Sequence, residues 1–135
     1  MKRLIIILLV IFGLCAPSLA MEWHTANQIT AGWDAVTAAN PADVIKYAVY
    51  TKILPNGEPT LLGEQDTLTA VITFDTEGRY IIGVSTVRYI DTGLPTEERL
   101  ESVVNWSDTN GENTPNPFGA RYFINPNPPK NLRKE

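Results

Sequence analysis

Histidine and cysteine are almost missing: the chain of 135 residues holds one of each, His24 and Cys15. A zinc or haem site, or a Ser-His or Cys-His catalytic pair, asks for more of these side chains. Long apolar runs are scarce as well. The only one, Leu4 to Cys15, spans about a dozen residues, short of the ~20 that a membrane-spanning helix needs. Lys2 and Arg3 precede it, and Pro17 and Ser18-Leu19-Ala20 follow. That basic, apolar, small-residue order is the build of a secretory leader cleaved after Ala20. Leu14 and Phe12 stand where a lipoprotein signal would want a small residue and a leucine. The expectation is therefore an exported protein, secreted or periplasmic, with residues 1–20 as signal peptide and no stable membrane insertion after cleavage. The sole cysteine leaves with the leader, so the remaining chain must stand on its hydrophobic core without disulfides.

Positive charge is in short supply. Two of the 11 Lys and Arg lie in the leader and all 15 Asp and Glu lie beyond it. An acidic domain repels phosphate backbones and anionic lipid, so nucleic acid is not an expected partner. The basic residues are scattered along the chain, apart from Lys130, Arg133 and Lys134 near its end. Helical periodicity is absent too, since no segment carries a capped apolar stripe of period 3.6.

What the chain does have is alternation of period two. "QITAGWDAV" puts Ile29, Ala31 and Trp33 on one face. "VIKYAVYTKI" groups Ile45, Tyr47, Val49 and Thr51 against Lys46, Ala48, Tyr50 and Lys52. "TAVITF" and "RYIIGVSTVRYI" are rich in β-branched and aromatic residues, with Tyr80, Ile82, Val84 and Thr86 on one face. "ESVVNWS" closes the series with Val104 and Trp106. These runs predict strands. "TAANPAD", "LPNGEP", "DTEG" and "DTGLPTEE" separate them with turn chemistry. Many short strands between regular turns predict an all-β fold of antiparallel sheets. From Asn110 the chain is dense in Asn, Pro and Gly, which cannot sustain a ladder. Residues 110–135 are expected as an irregular extension or linker; the alternative is a short docked strand at Ala120–Ile124.

The motifs "ITAGWDAV", "VIKYAVY" and "TEGRYIIGVST" resemble those of a fibronectin type III domain over about Gln28 to Ser107. The resemblance implies an immunoglobulin-like antiparallel β-sandwich at residues 21–109. Trp33, on the second strand, would fill its core. Tyr47 and Val49 would match the third strand's Tyr-x-Val, and Ser102 the opening of the seventh. Tyr80 would form a tyrosine corner, its hydroxyl bonding back to nearby backbone. Tyr47, Val49, Ile82, Val84 and Trp106 complete the expected core. The usual first strand is not evident, and "MEWHTANQ" with Trp23 stands in its place.

Asp91-Thr92-Gly93 after an apolar run could be an aspartic protease's catalytic triplet. That chemistry needs two such carboxylates sharing a proton, and the chain has one. Asp and Gly also suit a loop, which is the reading adopted. "SDTNGEN", with Asp108, Asn110 and Glu112, only partly matches a calcium loop. His24 beside Trp23 could line a sugar-binding face. The expected function is a non-enzymatic binding or spacer module without cofactors. It would present Val36 to Asp43 and Ile90 to Glu98, with Asp91, Thr92, Leu94 and Glu97 as contact residues. The partner would be a protein or a cell-surface polysaccharide. The alternatives are self-assembly through an open strand edge and a hydrolase using Asp91.

Overall fold

The computed structural model describes residues 20–91, 98–109 and 111–134, so all of the expected leader but Ala20 lies outside the described residues. Among the described residues there are strands and no helix: β1 (Glu22–Thr25), β2 (Gln28–Gly32), β3 (Val44–Leu54), β4 (Thr60–Gln65), β5 (Thr69–Thr73), β6 (Gly78–Ile90), β7 (Glu98–Glu101), β8 (Asn105–Trp106) and β9 (Phe118–Tyr122). Seven of them form one mixed sheet in the order β1-β9-β6-β3-β4, with β7 and β8 also on β6. The antiparallel pair β2-β5 forms a second sheet.

The long strand β6 organises the large sheet. Its run of β-branched and aromatic residues contains no proline to interrupt the ladder. One edge pairs with β3 along its whole length, from Val44 opposite Tyr89 to Leu54 opposite Arg79. The other edge receives β7, β8 and β9 in succession. The strand expected at Glu101 to Ser107 is therefore broken into pieces, and serines bridge the breaks. Ser102 accepts the Thr86 N–H on Oγ at 3.0 Å and donates its own N–H to the Thr86 carbonyl at 2.9 Å. Ser107 does the same for Ile82, at 3.0 Å and 2.8 Å. The hydroxyls supply acceptors where the neighbouring backbone turns away, so no buried β6 N–H is orphaned there.

The sheets differ from an antiparallel expectation in one place. β1 runs parallel to β9, from Glu22 beside Phe118 to Thr25 beside Arg121. Ala26 and Asn27 then carry the chain across to β2 in the other sheet, where the Phe74 N–H binds the Asn27 carbonyl at 2.8 Å. These two residues are the whole connection between the sheets. The Asn- and Pro-rich segment is also not uniformly irregular. Its strand, Phe118–Tyr122, starts two residues before the docked alternative at Ala120–Ile124, and Ala120 is fully buried.

One hydrophobic cluster joins the two sheets: Ala31 and Ile72 from the small one, Val49, Tyr80, Ile82 and Ala120 from the large one, and Phe74 between them. Ile29 and Trp33 pack against it, as the alternation predicted. Tyr80 stacks on Phe74 with ring centroids 4.4 Å apart. Its hydroxyl donates to the Thr76 carbonyl at 2.5 Å; burial, and then the nearby Asp75 charge, hold its pKa above the usual phenol value. Tyr47 accepts the Val36 N–H on its hydroxyl at 2.8 Å and lies 5.7 Å from Trp33. Val84 is half-buried. Trp106 is outside this cluster, on the opposite face of the sheet, where its ring covers Gly83.

Candidate functional site

Of the residues expected to contact a partner, Asp91 is exposed just past the end of β6, while Thr92, Leu94 and Glu97 lie outside the described residues. The other expected contact loop, Val36 to Asp43, is tied down. Val36 is held by Tyr47, Asn40 accepts the Ala42 N–H at 3.1 Å, and Asp43 binds Arg88 at 2.6 Å. His24 and Trp23 do not share a face. Alternation along β1 turns His24 toward Phe118, 6.4 Å away between ring centroids, and Trp23 onto Gly119. No group of three His, Cys, Asp or Glu that could hold a metal occurs among the described residues. Near the loop considered for calcium, the Asn105 amide donates to the Asn113 carbonyl and Thr114 Oγ donates to Asn105, both at 3.0 Å.

The structure instead gathers chemistry on the outer face of the large sheet. Strand register decides which side chains stand there. On β3 they are Lys46, Ala48, Tyr50 and Lys52, opposite Val87, Ser85, Gly83 and Ile81 of β6. Arg79 and Tyr89 extend the β6 row. β4 contributes Glu64 beside Ala48, β7 contributes Arg99 and Glu101, β8 contributes Trp106 beside Gly83, and β9 contributes Arg121 beside Arg79. Apart from the leader and the C-terminal Lys130, Arg133 and Lys134, the chain's basic residues are Lys46, Lys52, Arg79, Arg88, Arg99 and Arg121. All but Arg88 take outward positions on this one face. Only two acidic strand residues, Glu64 and Glu101, share it. An acidic protein thus carries a basic face.

Half of that face is a closed network. Tyr50 Oη and Ser85 Oγ each donate to Glu101 Oε1 at 2.5 Å. Tyr89 Oη donates to Glu64 at 2.5 Å. Arg99 lies between the carboxylates, 2.5 Å from Glu64 and 3.0 Å from Glu101. These bonds reach across β4, β3, β6 and β7. Donors around each carboxylate favour its charged form. Glu64 is held below the usual carboxylate range, first by Tyr89 and then by Arg99. Glu101 is lowered chiefly by Ser85 and Tyr50. The tyrosines move the other way, Tyr50 raised by its bond to Glu101 and Tyr89 by its bond to Glu64.

A pH dependence follows. A carboxylate whose folded pKa is depressed stabilises the fold fully above its unfolded pKa, about 4.3 for Glu, and loses that contribution as pH falls through the folded value. Urea midpoints should therefore drop on acidification from about pH 5 to pH 2. In the double variant Glu64→Gln/Glu101→Gln the drop should be smaller. Equal acid sensitivity in both proteins would place the responsible groups elsewhere.

The other half of the face carries cations over aromatic rings. Lys52 Nζ lies 6.0 Å from the Trp106 ring centroid and Arg79 Cζ lies 5.9 Å from that of Trp23. A third pair, Lys46 over Tyr89 at 5.7 Å, borders the carboxylate network. Each such contact at a wet surface is worth about 0.5–1 kcal/mol. Trp106 lies close over β6 because Gly83 has no side chain: a Cβ there would come within 2.8 Å of the ring. Alternation along β3 had already set Lys46, Tyr50 and Lys52 opposite the core. Nothing in one strand's pattern says which residues of other strands will join them. Comparison with protein-family models, with curated proteins and with solved structures finds no match to this chain.

Proposed function

We propose that this chain is an exported, non-enzymatic binding module built as an immunoglobulin-like sandwich of fibronectin type III kind. It takes hold of a protein or a cell-surface glycan with the outer face of its large sheet. The leader's basic, apolar and small-residue order supports export. The sandwich reading is supported by the β2-β5 pair packing over β3 and β6, and by Tyr80 bonding back to Thr76. One observation carries the functional reading: five basic side chains from β3, β6, β7 and β9 converge on one face of an acidic domain. Solubility alone would be served by dispersed charge. Segregation of one sign steers a partner of the other sign and orients it.

The test compares two variants in capture from a fractionated bacterial envelope. One reverses charge on the face, Lys52→Glu/Arg79→Glu. The other replaces residues 92–97 with a Gly-Ser loop. Capture should be lost in the first and retained in the second. The reverse pattern would return the site to the loop after Asp91.

A further inference from the structure

Resting on that reading, we infer that the half of the face without carboxylates is a subsite for a linear acidic polysaccharide bearing a carboxylate on its sugar rings. It consists of Trp23, Lys52, Arg79, Trp106 and Arg121. Register sets Arg121 directly beside Arg79, and Trp106 two residues along β6 from the Lys52 position, in line with Tyr50 across Gly83. Among the described residues, no Asp or Glu takes an outward strand position in this half. Glu77, just before β6, already accepts the Ile124 N–H. Three cations are thus left without a carboxylate from their own face, whereas Arg99 in the other half is held by two.

The arrangement suits a charged sugar better than other polyanions. Sugar rings have an apolar face that packs on aromatic rings, and the half-buried Trp23 and Trp106 supply two. Cations lie over both tryptophan rings in the free protein. A uronate would draw Lys52 or Arg79 onto its carboxylate and leave the ring face to the sugar. The ion pair and the stacking contact then form together, which neither a neutral glycan nor a non-cyclic anion achieves. In single-stranded nucleic acid the stacking face and the charge belong to different groups, base and phosphate, whereas a uronate carries both on one ring. Exposed Arg79 and Arg121 give reach, and the sheet gives the rigid spacing that repeated sugar units require.

Affinity electrophoresis of the protein through gels with polygalacturonate is the test, with dextran as the neutral control. Retardation is expected with polygalacturonate and not with dextran. Raising salt to about 0.5 M should weaken it about tenfold, because these contacts are solvent-exposed and screened. Lys52→Gln/Arg79→Gln should lower association by about tenfold, the loss of two exposed charge contacts together with their ring partners. It should still melt in one cooperative transition, somewhat below the wild type for two lost cation–ring contacts, and Lys130→Gln, outside the strands, should bind as the wild type does. Poly-glutamate, single-stranded DNA and anionic vesicles form the comparison arms. Equal or tighter binding to any of them, equal retardation by dextran, or an unaffected double variant overturns the inference. If envelope capture is lost on charge reversal while polygalacturonate is ignored, the face remains the site and the uronate class is wrong. If charge reversal leaves capture intact, the binding-face reading itself falls.

Discussion

Replacing Arg88 by alanine is expected to cost about 3–5 kcal/mol of folding stability, by leaving a buried carboxylate without its partner. Arg88 stands on the inner side of β6, opposite Ile45. Its Nε and Nη2 both reach Asp43 Oδ2 at 2.6 Å. The Asp43 side chain is 0% exposed and the Arg88 side chain 37%. Asp43 Oδ1 is buried without a hydrogen-bond partner among the described residues. The carboxylate therefore depends on one guanidinium. Losing it leaves a buried carboxylate without its donor, and this penalty exceeds what a surface ion pair contributes. The expected effect reads directly in urea denaturation, as a lower midpoint with the slope unchanged. Converting both partners to apolar residues, Asp43→Leu with Arg88→Met, should recover most of the loss, because no charge is then stranded. A loss under about 1 kcal/mol in Arg88→Ala would mean that the pair behaves as an exposed one.

That pair was invisible to sequence reading for a physical reason. Asp43 closes a turn segment, where acids are ordinary, and Arg88 sits within a strand whose neighbours alternate normally. Only the register of β3 on β6 brings them together, across 45 residues of chain. What alternation can report is the face of a single strand, because side chains point to opposite sides in turn. The inward sets on β2, β3 and β6 were legible on that ground: Ala31, Val49, Tyr80 and Ile82 all line the shared core. Trp106 was misplaced by the same logic. An aromatic residue in an apolar run suggests core, yet in the broken seventh strand Trp106 falls on the outer side, against Gly83.

The candidate site shows the same limit more plainly. Along the chain the basic residues look dispersed, so charge argued against an anionic partner. Folding gathers Lys46, Lys52, Arg79, Arg99 and Arg121 from four strands onto one face. Net charge governs how whole molecules repel. A face a few strands wide presents its own local field, and at physiological salt that field is what a partner within about 8 Å meets. The acids that dominate the composition lie mostly in turns and on the inner or edge positions. The loop after Asp91, chosen from sequence because loops carry variable contacts, lies outside the described residues and neither gains nor loses support.

Gly119→Ala should be the most damaging methyl group that can be added to the chain's end, at about 2–3 kcal/mol by overpacking. Gly119 lies in β9, beside Trp23 of β1. A Cβ there would come within 2.6 Å of Met21 Cε, 2.7 Å of Trp23 Cζ3 and 2.8 Å of the Tyr80 carbonyl oxygen. The methionine tip can swing aside. The carbonyl cannot, because Tyr80 is fixed by the β3 and β9 ladders and by its own hydroxyl bond to Thr76. To accommodate a methyl group, β9 must move away from β6, and it carries fully buried Ala120 with it. Gly111→Ala is the matched control. It lies in the same Asn- and Pro-rich stretch, a Cβ there meets nothing within 4 Å, and its cost should stay within about 0.5 kcal/mol. Thermal melts of the two variants decide whether β9 belongs to the fold. Equal, small losses would mean that the segment from Asn110 is an extension after all, and that β6 keeps its ladder without it.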